Sequence, residues 1–150
     1  MNRKLIFCCT ALSAIACAPD PALGSFNFTM TGSETETAPR TQTTMSTAMG
    51  VLTVTTGKTS DYVVVLSQND TGPCVLEAKN ERNEIVMTSG QQCTFAGGGG
   101  TRLTATLTSG SIVRGERGEA ITVNVAYTYT AMVVLNFVGS GTRTYAGTRR

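Results

Sequence analysis

The chain has no tryptophan and no histidine, and only 15% of its 150 residues are charged. Without an imidazole there can be no Ser-His-Asp or Cys-His nucleophilic site and no His-bearing zinc site. Without tryptophan, the broadest aromatic surface for stacking a sugar is missing. Strong helix formers are also scarce, whereas Thr, Val and Gly are abundant, a balance that favours pleated, half-buried strands over helices. No apolar run reaches the ~20 residues that a membrane-spanning helix needs.

Positive charge in excess is lacking too. The formal charge of +2 comes from Arg3 and Lys4; without them ten basic residues face ten acidic ones. The remaining cations are scattered, with only Arg149 and Arg150 adjacent. A neutral body argues against a nucleic-acid partner, whose phosphates demand clustered cations.

Arg3 and Lys4 precede an apolar stretch, residues 5–16, that ends in Ala14-Ile15-Ala16-Cys17. This is the layout of an export signal, and Ala14-Ile15-Ala16 also satisfies the Ala-x-Ala rule of ordinary secretory cleavage. Of the five cysteines, Cys8 and Cys9 leave with such a signal, Cys74 and Cys93 can pair, and Cys17 is left over. An odd thiol is unusual in an exported protein and calls for a separate role.

The segment around Cys17 resembles the lipobox of Gram-negative lipoproteins. That resemblance implies cleavage before Cys17, diacylglycerol on its sulfur and acylation of the new N-terminus. Ala18, in place of Asp, implies passage to the outer membrane. Downstream, Cys74-Val75-Leu76, the Gly90 to Cys93 run and Thr106-Leu107-Thr108-Ser109-Gly110 resemble disulfide-bearing β-rich lipoproteins of the same bacteria. The expected organisation is a signal peptide at 1–16, a lipidated tether at 17–24 and one β domain at 25–150.

Period-two alternation marks strands at residues 25–31, 49–55, 103–107 and 121–129, with shorter ones at 62–66, 75–79, 84–88, 93–95 and 142–147. The polar stretch 32–46 reads as a long loop, and a turn or bulge is expected near Thr130-Ala131 because an uninterrupted strand there would be too long. Gly139-Ser140-Gly141 reads as a chain reversal. Eight to ten short strands in local order predict an all-β fold, a small antiparallel barrel or sandwich with one disulfide.

Gly57-Lys58-Thr59 imitates the end of a P-loop but runs into a strand rather than a helix, so it reads as a hairpin turn. The carboxylates fall mostly in turns and on wet faces. Tyr127, Tyr129, Phe137 and Tyr145 either line a pocket, as in lipocalin-like binders, or fill the core. On the strand at 121–129, Val123, Val125 and Tyr127 face the core while Thr122, Asn124 and Thr128 form a candidate binding surface. No metal and no cofactor are expected. The expected function is a non-enzymatic envelope lipoprotein, held to the membrane by its lipid and contacting envelope proteins or cell wall. The alternatives are a small-ligand barrel or an inhibitor of a cell-wall hydrolase.

Overall fold

Alternation of apolar and hydroxyl side chains sets the architecture. The computed structural model describes residues 20–68, 72–81, 84–96, 102–115, 118–132 and 136–150; among these there are strands and no helix. In chain order they are β1 (Gly24–Ala38), β2 (Gln42–Thr56), β3 (Tyr62–Gln68), β4 (Cys74–Glu81), β5 (Glu84–Met87), β6 (Gln92–Ala96), β7 (Arg102–Arg114), β8 (Ala120–Met132) and β9 (Asn136–Arg149).

Every pairing is antiparallel. β1 lies between β2 and β9, and the order runs β5-β4-β3-β2-β1-β9-β8-β7-β6. The ring closes where β5 also pairs with β7, through Ile85 opposite Ile112 and Val86 opposite Ser111. The result is an eight-stranded barrel with β6 as an additional strand.

β5 and β6 act as one interrupted strand along β7. β5 pairs with the far half of β7 and β6 with the near half, from Gln92 opposite Thr106 to Ala96 opposite Arg102. Between them the Gly90 amide donates to the Leu107 carbonyl and the Leu107 amide donates to the Gln91 carbonyl, both at 2.8 Å. Gly90 has φ +83°, a left-handed conformation that glycine adopts without penalty. β7 compensates with a bulge between Leu107 and Ser109.

This arrangement explains how Cys74 reaches Cys93. In a flat meander those cysteines would lie two strand spacings apart, beyond disulfide reach. Here β6 continues β5, the neighbour of β4, so the two cysteines face each other across one gap and are bonded, with Cα atoms 5.3 Å apart. Gln91 bridges the same gap: its amide oxygen accepts from the Glu77 amide, and its NH₂ donates to the Glu77 and Thr88 carbonyls.

The interior is filled by Phe26, Phe28, Leu52, Val64, Ile85, Ile121, Val123 and Tyr145, all at most 3% exposed. Tyr127 and Tyr129 are buried as well. The strands differ in height: β1 and β2 run 15 residues, β9 runs 14, and β3 only 7. The tall strands therefore rise past the short ones as a flap.

The flap accounts for three departures from the sequence reading. Residues 32–46 are not a loop; β1 continues to Ala38, and β2 pairs with it from Gln42, in register from Glu36 opposite Gln42 to Gly24 opposite Val54. Their polarity reflects a sheet that rises past most of the core, with Gly32 its one buried residue, not an absence of strand. Gly139-Ser140-Gly141 does not reverse the chain but lies within β9. β8 passes straight through Thr130-Ala131 to Met132, opposite Asn136, and residues 133–135 lie outside the described residues. In addition, β7 does not stop at Leu107 but continues past its bulge to Arg114.

At the opposite end the chain enters the barrel through Asp20. The Tyr62 hydroxyl donates to its carboxylate, the Ala22 amide does so at 2.9 Å, and Arg114 pairs with it at 3.3 Å. Ala22 is fully buried, and Arg149 donates to the Pro21 carbonyl at 3.1 Å. From Asp20 onward, the stretch read as tether is thus packed against the barrel floor. Burial pushes the Asp20 carboxyl up, but hydrogen bonds from Tyr62 and Ala22 together with the Arg114 charge outweigh it and hold the pKa below the usual value.

Candidate functional site

The outer wall follows from the same parity as the core. On β8, Thr122, Asn124, Ala126 and Thr128 alternate with Val123, Val125 and Tyr127, so one set must face out if the other faces in. Thr128 is exposed, Thr122 and Asn124 are half-buried by their neighbours, and Asn124 accepts a 3.0 Å hydrogen bond from the Thr144 hydroxyl on β9. The residues proposed from the sequence as a binding surface therefore share one face.

That face extends well beyond β8. At the outward register positions of β1, β2, β8, β9 and β7 from Thr104 to Val113 there is no charged residue, and most positions carry Thr or Ser. Two shallow open depressions lie side by side on it and share Ala126 and Thr142. One, about 410 Å³, is edged by Ser33, Thr35, Thr128 and Ser140. The other, about 350 Å³, is edged by Ser109, Ser111, Asn124 and Thr144. Their small side chains supply hydroxyl donors and acceptors beside methyl groups. Tyr127 borders the first and Arg143 the second, each on a strand whose Thr and Ser neighbours supply most of the lining.

Inside the barrel beneath this wall is a polar cluster that the sequence reading did not single out. Glu34 continues the inward parity of Phe28, Met30 and Gly32, and Arg143 continues that of Tyr145. The guanidinium of Arg143, whose side chain is 9% exposed, donates to Glu34 Oε1 from Nε at 3.2 Å and Nη2 at 2.5 Å. The Tyr127 hydroxyl donates to the same oxygen at 2.6 Å. Burial alone would raise the Glu34 pKa, yet the Tyr127 and Arg143 hydrogen bonds and the Arg143 charge hold it below the usual value. Burial raises the Tyr127 pKa, and acceptance by Glu34 raises it further against the opposing charge of Arg143. The guanidinium lies 5.2 Å from the Tyr127 ring centroid. A lone charged residue that keeps step with an apolar stripe was the available signal for this cluster.

Among the described residues an interior cavity of about 20 Å³ lies beside the disulfide, lined by Leu66, Leu76, Leu107, Val125 and Tyr145. That is room for about one water, whereas ligand sites run to ~300 to 1,000 Å³. Tyr127, Tyr129 and Tyr145 are buried, and Tyr127 and Tyr145 border this cavity. Among the described residues no three His, Cys, Asp or Glu side chains come together as a metal site. Cys17 lies outside the described residues.

No protein-family model matches the chain, and no curated protein or solved structure matches it.

Proposed function

We propose that this chain is a non-enzymatic outer-membrane lipoprotein, a rigid interaction module that presents its Ser/Thr wall to an envelope protein or the cell wall. The observation that carries this reading is the contiguous, charge-free hydroxyl wall around Ala126 and Thr142. A neutral polar partner, such as a glycan strand or an uncharged protein edge, gains hydrogen bonds there without desolvating a charge.

The clamp at Asp20 supports the anchoring half of the proposal. Three residue steps separate Cys17 from Asp20, at most ~11 Å of extended chain, so a lipidated Cys17 holds the barrel floor at the membrane and the flap away from it. Three acyl chains exceed the two signals needed for stable attachment. The small-ligand alternative draws no support from a 20 Å³ cavity.

A photo-crosslinking residue at position 126 in cells tests the wall. The expected result is a discrete adduct with an envelope protein or with cell-wall glycan that disappears in Thr142→Arg. A muramidase adduct would favour the inhibitor reading, and no adduct at 126 or 142 would refute the wall as a binding face. Separately, Cys17→Ala should release the chain from the outer-membrane fraction.

A further inference from the structure

The upper half of β2 is a strand edge with no partner among the described residues. β1 pairs with β2 along its whole length, but β3 begins to pair only at Gly50 opposite Gln68, which leaves Gln42 to Met49 bonded on one side. Such an edge exposes a row of backbone donors and acceptors to any passing strand. Edges of this kind are normally guarded by charge, proline or a bulge. From Thr41 to Met49 this one has no charged residue and no proline, and its register with β1 is unbroken. Met45 and Met49 also stand 73% and 69% exposed on the outer face.

We infer that this edge pairs with the same edge of a second copy, antiparallel about Met45. In that register Met45 lies opposite Met45 of the second copy, Thr43 opposite Thr47, and Thr41 opposite Met49. Directly opposed residues share a face, so the exposed methionines cover one another and the threonines repeat the contact already made inside the chain by Thr35 and Thr43, whose hydroxyls are 3.1 Å apart. Among the described residues the paired window stops just short of β3, whose Gln68 lies opposite Gly50. Arg40 of each copy falls level with Gly50 of the other. The two guanidinium groups then lie about ten residues, or ~30 Å, apart, well beyond the ~8 Å screening length. An uncharged edge gives a charged partner no steering, whereas a second copy meets it without repulsion.

About nine residues a side is well under the ~20 to 30 of a standard interface, so the pair is a weak one that forms as concentration rises. The pairing stands on the β2 edge alone and needs neither the lipid nor the Ser/Thr wall. Its antiparallel sense sends the two Asp20 ends in opposite directions, so it joins copies free of lipid or held in two facing membranes, not neighbours anchored through Cys17 in one membrane.

Sedimentation velocity of the full chain carrying Cys17→Ala, over a concentration series, tests it. The expected behaviour is a monomer that shifts to twice its mass, with the curve displaced about tenfold or more to higher concentration by Met45→Lys, equivalent to ~1.4 kcal/mol or more. Val75→Lys, an exposed change on β4 outside the wall, should leave the curve in place. Under mild oxidation Met45→Cys should yield a covalent dimer. Thr43→Cys should yield one only when mixed with Thr47→Cys, and the native cysteines are common to all these variants. A chain that stays monomeric throughout, a dimer indifferent to Met45→Lys, or equal cross-linking from Thr43→Cys alone would each overturn the pairing.

Discussion

The Tyr127 ring lies across Gly141 of the neighbouring strand, and in doing so carries its hydroxyl past β9 to Glu34 on β1. A Cβ built on Gly141 would sit 2.7 Å from the Tyr127 hydroxyl, and one on Gly139 would sit 2.5 Å from that of Tyr129. β9 therefore works as a low track over which side chains of β8 and β1 meet. Gly141→Ala should displace Tyr127 and destabilise the fold by about 1 to 3 kcal/mol, the usual cost of overpacking. Urea unfolding checks this. An unchanged midpoint would mean that the ring does not occupy that place.

The Glu34 cluster predicts a loss of stability in acid. Its folded pKa lies below the unfolded value of ~4.3, so its contribution is complete above that pH and is lost as the pH falls through the folded pKa. Asp20 acts in the same direction from a more exposed position. Glu34→Gln should lower stability at pH 7 and flatten the acid limb of the stability curve between about pH 5 and pH 2. At the alkaline end Tyr62 is pushed up to about 12, mainly by burial and by its bond to Asp20, so its contribution should persist to pH ~10 and fade above it.

The two faces of β8 should respond differently to truncation. Val125→Ala removes buried area next to the small interior cavity and should cost about 1 to 3 kcal/mol. Thr128→Ala, on the wall, should stay within about 0.5 kcal/mol. The reverse order in thermal or urea unfolding would invert the register of β8.

That register was legible in the sequence, because Val123, Val125 and Tyr127 alternate cleanly with Thr122, Asn124 and Thr128 and a half-buried strand has no other way to fold. The pairing of Cys74 with Cys93 was legible by counting. Its geometry was not, since the interruption at Gly90 that sets β6 in line with β5 leaves no periodic trace. The flap of β1 and β2 was equally hidden: Glu34, Glu36 and Ser46 are inward by parity yet polar, and nothing in a Thr-rich stretch distinguishes a sheet above the core from a loop. Glu34 and Arg143 lie 109 positions apart and are joined only by the pairing of β1 with β9.

Loss of the disulfide by Cys74→Ala with Cys93→Ala should cost about 3 kcal/mol, as expected for closing a loop of its 19-residue separation. Denaturant unfolding of the double variant checks this. A cost near zero would mean that Gln91 and the strand ladders already hold the gap.

The closure through β5 has a further consequence, for the order in which the molecule comes apart. Among the described residues, neighbouring strands elsewhere around the ring share four to thirteen register positions, but β5 and β7 share only Ile85 with Ile112 and Val86 with Ser111. A ring opens at its weakest link, so amide exchange should be fastest along that join, long before global unfolding. The Cys74–Cys93 bond lies directly beside it and fastens β4 to the strand that continues β5. In a reducing medium the barrel would then breathe as an open, curled sheet hinged on β1 and β9, with a fresh pair of strand edges at β5 and β7.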